Sequence, residues 1–223
     1  MTPPRNPGRF TRLLILVALC LTLSSLIANG ITYDPGNRTT YRFGPVFPQK
    51  NAAIRWFSLD QSDTLPAWFS SLLLLTDAVL LGAIAYRAFP DRIRTVYWTV
   101  LALVFGIMAA DKATYVYEFH AEIGKKWLTS YWVTGGVLLG GVFYLSWRIL
   151  PARIVFWLAL GSFFLLGSYG ANRFGEYFAG EHTGHHMVIG FIGDGEGLLE
   201  LLGEISILHG LLVYRHRNTL NLQ

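Results

Sequence analysis

Long apolar runs separated by short polar or glycine-rich stretches set the pattern of this chain. Six runs, at about 12–29, 67–88, 95–118, 130–149, 152–171 and 195–214, each approach the ~20 residues an α-helix needs to cross bilayer hydrocarbon. Hydrocarbon offers no hydrogen bonds to a backbone, so runs of this length predict helices that satisfy their own. The expected fold class is all-α: a polytopic transmembrane helix bundle of about six spans, with residues 1–223 as a single membrane domain.

The segments between the runs give the first functional hints. Residues 30–66 are rich in Gly, Pro and aromatics and predict an extracytoplasmic cap loop without a core of its own. Residues 172–194, "NRFGEYFAGEHTGHHMVIGFIGD", predict an extracytoplasmic loop carrying His182, His185 and His186. Asp194 in "GDGEG" is expected to N-cap the last helix, because the stretch lacks the alternating acids and terminal Glu of a calcium loop. The first run has the basic flank of a signal peptide. Leu26, however, stands where a cut after Ala28 needs a small residue, so an uncleaved span is expected.

Composition supports the bundle, with 52% apolar and only 14% charged residues. Seven Trp, eleven Tyr and fifteen Phe suit helices that pass through membrane interfaces. The single Cys20 excludes an intrachain disulfide framework and a cysteine zinc site, and reads as a small packing residue. The net charge of +4 is no nucleic-acid stripe, because the basic residues gather at the ends of apolar runs. Arg5, Arg9 and Arg12 precede the first run, and Arg87, Arg92 and Arg94 lie between the second and third. Arg148 and Arg153 join the fourth to the fifth, and Arg215 and Arg217 follow the sixth. By the positive-inside rule both termini are cytoplasmic. Of fourteen acids only Asp91 then falls on the cytoplasmic side, so any chemistry faces outward.

The acids are the candidate chemistry, since charge inside hydrocarbon is expensive and needs a partner, a proton or a metal. Glu196, Glu200 and Glu204 recur every four residues and form one row on the last helix. Asp111, Tyr115, Glu118 and Glu122 share a face of the third run, and Asp77 sits near the middle of the second. Asp77, Asp111, Glu118, Glu196, Glu200 and Glu204 are therefore the candidate ligand or ion site, with Lys112 and nearby hydroxyls to balance charge. Glu181, His182, His185 and His186 form a weaker candidate metal set, because their spacing matches no strict ligand motif. A divalent metal is accordingly not favoured, and no other cofactor is indicated. His209 reads as a hydrogen-bonded core residue. Gly135, Gly136, Gly140 and Gly141 in "VTGGVLLGGV" predict close helix approach in the fourth run.

Four stretches, "LPAWFSSLLLLTDAVLL", "AADKATYVYE", "GSYGANRFGE" and "GEGLLELLGEISILHGLLVYR", resemble in order and spacing an uncharacterised family of bacterial six-helix inner-membrane proteins. The resemblance implies a multi-pass protein of the bacterial inner membrane with no assigned activity. It also implies an Asp-Glu and a His-Glu pair on the third helix, and a Glu-Glu pair followed by Glu and Gly on the last. This chain keeps Asp111, Glu118, Glu196, Glu200 and Gly203, but has Lys112, Tyr117 and Gly197 where the family pattern has Glu, His and Glu. Those departures count against catalysis or metal binding carried over from the family. A likeness to intramembrane zinc hydrolases fails too, because the only helical histidines are His209 and His120.

The expected function is an integral membrane protein with an outward-facing intramembrane acidic cluster that binds a cation or small ligand without catalysis. An accessory or assembly subunit of a respiratory or photosynthetic membrane complex is the first alternative, and a membrane metallohydrolase the second. Expected partners are the lipid bilayer and, under the first alternative, other membrane subunits, but no nucleic acid.

Overall fold

The structure, a computed structural model, describes the backbone of residues 7–32, 64–114, 144–181 and 186–220. Side chains are described over 7–27, 64–110, 112–113, 144–171 and 192–217, and at Phe174. All the regular structure among these residues is helical: α1 (Pro7–Thr32), α2 (Leu65–Arg87), α3 (Arg92–Thr114), α4 (144–149), α5 (Ala152–Glu181) and α6 (His186–Leu220). Five of them contain stretches long and apolar enough to cross a membrane: Pro7–Ile27, Leu65–Arg87, Arg92–Ala110, Ala152–Ala171 and Ile192–Arg217. The cap region 33–63 and most of the fourth run, with its four glycines, lie outside the described residues.

Local signals fix the ends of α2 and α3. Thr64 takes an extended backbone and its hydroxyl accepts from the Ala67 N–H at 3.4 Å, while Pro66 opens the first turn, where its missing N–H costs nothing. Asp91 starts α3 in the same way, its carboxylate accepting from the Arg94 N–H at 3.2 Å.

One expectation is overturned outright. Residues 172–181 and 186–194, read as parts of a glycine-rich loop, are helical. Asp194 is consequently not an N-cap: it lies well inside α6 and is buried. Glycine lowers helix propensity in water, but where water is scarce the backbone keeps its internal hydrogen bonds, and glycine is common in membrane helices. Cys20 also differs from expectation, being exposed on α1.

The helices meet around α6, which packs on α5, α1 and α2, while α2 packs closely on α3. Their shared core holds Leu74, Leu81, Trp98, Ile154, Leu201 and Leu208. The opposite faces are apolar too: Leu16, Leu23, Leu72, Val79, Ile107 and Phe163 are all more than half exposed, as hydrocarbon surroundings require.

α5 and α6 approach closely where Gly161 and Gly203 face one another. A methyl group on Gly203 would come within 2.9 Å of the Gly161 carbonyl oxygen. On its other side α6 holds α1 at two heights. Ser25 donates to the Asp194 carboxylate at 2.5 Å, and Thr11 lies 2.8 Å from His209 Nδ1. An early residue of α1 thus meets a late one of α6 and the reverse, so the two helices run antiparallel.

Candidate functional site

The polar side chains of α2, α3 and α6 converge in one seam. On α6 the four-residue spacing puts Glu196, Glu200 and Glu204 in a row with graded burial: Glu196 and Glu200 are half-buried and Glu204 is fully enclosed. Ser70 of α2 donates its hydroxyl to Glu204 Oε1 at 2.6 Å. Lys112, in the last turn of α3, places Nζ 2.7 Å from Glu200 Oε2. The Lys112 charge also acts on Glu204 and Glu196. Asp77, two turns farther along α2 than Ser70, is enclosed completely.

Three carboxyl oxygens of this seam have no hydrogen-bond partner among the described residues: both of Asp77 and Oε2 of Glu204. Desolvating an ionised carboxylate without donors costs several kcal/mol or more, so such groups persist only when a proton or a cation cancels the charge. The Lys112 ammonium serves Glu200 directly. It leaves Asp77 and the second oxygen of Glu204 unmatched.

Access to the seam is asymmetric. The Lys112 and Glu200 side chains are 37% and 21% exposed, whereas Glu204 and Asp77 are at 0%. Beyond Asp77 the described interior is mostly apolar, with Leu81 and Ile84 of α2 and Leu211 of α6 buried, beside the Trp98 indole N–H, which has no described partner, and the Tyr97 hydroxyl bonded to Ser146. The seam is open at its Lys112 end and closed at the other.

Two further polar residues of α6 serve the contact with α1. Asp194 is held by Ser25. The Thr11 hydroxyl donates to the Pro7 carbonyl at 2.9 Å and therefore accepts from His209, placing the imidazole proton on Nδ1. The ring of Trp157 stands edge-on to that imidazole, 4.4 Å between centroids. His209 is a hydrogen-bonded packing residue, as its position predicts.

Of the candidate residues, Glu196, Glu200 and Glu204 form a row on α6 that meets Lys112 and Ser70, and Asp77 is buried farther along α2. Asp111 lies on α3, but its side chain is outside the described set, as is all of Glu118. In the weaker metal set, Glu181 ends α5 and His186 begins α6 with undescribed side chains, and His182 and His185 lie outside the described residues. Sequence reasoning missed Ser70 and Ser25, the hydroxyls that serve the buried acids. The signal was a serine pair within each apolar run, "SSLLLL" and "TLSSLI".

The chain belongs to the family described as a domain of unknown function, DUF8692, which matches residues 12–214. No curated protein and no solved structure matches it.

Proposed function

We propose that this DUF8692 member is a multi-pass protein of the bacterial inner membrane, with both termini cytoplasmic, that binds a cation or small cationic ligand in the seam between α2, α3 and α6. Binding occurs from the outward side and involves no catalysis. The observation that carries the reading is the set of three enclosed carboxyl oxygens, two on Asp77 and one on Glu204, that have no described donor. Such groups are costly in a core and mark binding sites more often than scaffolding when they lie within membrane spans. Lys112 and Glu200 form the mouth, since this ion pair keeps appreciable exposure while Glu204 and Asp77 are enclosed. The arginines between α2 and α3 and after α6 support a mouth facing away from the cytoplasm, because the closed end of the seam lies toward them.

What the seam offers a guest is negative charge. The Ser70 hydroxyl is engaged as a donor to Glu204, and the remaining polar atoms are carboxyl oxygens and one ammonium. The test is thermal unfolding of purified protein across pH with sodium, potassium, magnesium, calcium or methylammonium chloride. The expected result is stabilisation by at least one of these cations or by acidification, lost in Glu204→Gln. Indifference to every cation and to pH refutes the reading.

A further inference from the structure

We infer that the cation taken by this seam is the proton, held on Asp77 and on Glu204 and exchanged through the Lys112–Glu200 end. The inference rests on the binding reading above and narrows its ligand.

Donor chemistry decides against a metal ion. Calcium takes six to eight oxygens and magnesium a near-ideal octahedron. The enclosed part of the seam, below the half-buried Glu196 and Glu200, offers two free oxygens on Asp77 and one on Glu204, since the Ser70 hydroxyl and Glu204 Oε1 already hold each other at 2.6 Å. The remaining walls are aliphatic, with Leu73, Leu74, Ile205 and Leu208 all buried. Among the described residues no three His, Cys, Asp or Glu side chains gather as a metal site would need. A fixed ammonium is also already present: Lys112 sits 2.7 Å from Glu200 and acts on Glu204 and Glu196, so an entering metal ion would meet a like charge. A proton needs only one lone pair and leaves a neutral group behind.

Among the described residues, the charged groups around the two carboxyls leave no other compensation. On α2 there is Asp77 itself, on α3 Lys112, and on α6 Glu196, Glu200 and Glu204. At their contacts with α6, α1 brings the Ser25 hydroxyl and α5 brings Gly161, both uncharged. Hydronium arriving at the exposed pair would give its proton to a carboxylate oxygen and leave as water. The route is one-sided, because exposure falls from Lys112 through Glu200 to nothing at Glu204 and Asp77, and mostly apolar side chains close the far end. The seam stores protons from one side of the membrane.

Infrared spectroscopy of the full chain in phosphatidylcholine vesicles tests this, because the carbonyl stretch of a protonated carboxyl is separate from the carboxylate bands. At neutral pH the protein should show a protonated-carboxyl absorption with two contributions. Asp77→Asn should remove one and Glu204→Gln the other, and sodium, potassium, magnesium or calcium chloride should leave both in place. Absence of the band in the unsubstituted protein, or its survival in both variants, overturns the inference. Discharge of the band by one of the salts also overturns it while leaving cation binding standing, with a metal ion as the ligand. If a variant does not fold, the presence of the band in the unsubstituted protein and its response to the salts decide alone.

Discussion

Substituting a single hydrogen by a methyl group at two glycines should give stability changes of opposite sign. At Gly203 the added carbon would lie 2.8 Å from Leu165 Cγ, 2.9 Å from the Gly161 carbonyl oxygen and 3.1 Å from Leu165 Cδ2. Comfortable carbon contacts are about 3.5–4.0 Å, so every neighbour is too close. Leu165 has rotamers to explore, but the Gly161 oxygen belongs to the backbone of a facing helix and moves only if α5 moves. Overpacking of this kind costs about 1–3 kcal/mol. Against it stands the gain from replacing glycine by alanine in a helix, about 0.5–1 kcal/mol. Gly203→Ala should therefore lose roughly 1 kcal/mol net, within a range of about 0–2.5 kcal/mol. Gly82 in α2 is also helical but has nothing within 4 Å of the added carbon, so Gly82→Ala should keep the whole gain of about 0.5–1 kcal/mol. Equilibrium unfolding by a denaturing detergent titrated into mild micelles, followed by circular dichroism, compares the two. If Gly203→Ala proves as stable as Gly82→Ala, the α5–α6 crossing is not as close as described and the argument fails.

Three further outcomes are expected. Ser25→Ala should cost about 1–3 kcal/mol in the same unfolding assay, because it removes a donor from buried Asp194. Ser24→Ala, at a hydroxyl bonded to its own helix, should stay within about 0.5 kcal/mol. Asp77→Val should leave the protein as stable or more stable, since it removes two enclosed oxygens without described donors. Loss of more than about 2 kcal/mol would instead assign the carboxyl a structural partner. In a chain freed of its single cysteine by Cys20→Ala, Phe89→Cys in the turn between α2 and α3 should react with a membrane-impermeant maleimide only after cells are permeabilised. Labelling of intact cells would invert the orientation.

The helices were legible because apolar runs near twenty residues have few other fates, and the turn after α2 because Pro90 and Asp91 interrupt one run and start the next. The row of Glu196, Glu200 and Glu204 was legible because four-residue spacing is geometry. Less so were the partners. That Lys112 reaches Glu200 depends on how α3 and α6 sit together, which no local pattern records. Ser70 was equally hidden, one of two adjacent serines of which the other, Ser71, spends its hydroxyl on the Ala109 carbonyl. Asp194 was misread for a physical reason: flanking glycines signal a turn in water, but a backbone shielded from water keeps its internal hydrogen bonds, and the helix runs through them.

The contacts of α6 bear on how the protein comes to be assembled. Ser25 waits for an acid 169 residues later, Thr11 for a histidine 198 residues later, and Ser70 for a glutamate 134 residues later. All three belong to α6, which is synthesised after the other described helices. Until it is inserted, Asp77 and Lys112 stand in earlier spans without the glutamates they face in the finished bundle. The α2–α3 pair can therefore form early, whereas the polar contacts of α1 and α2 with α6 are completed only once α6 is in place.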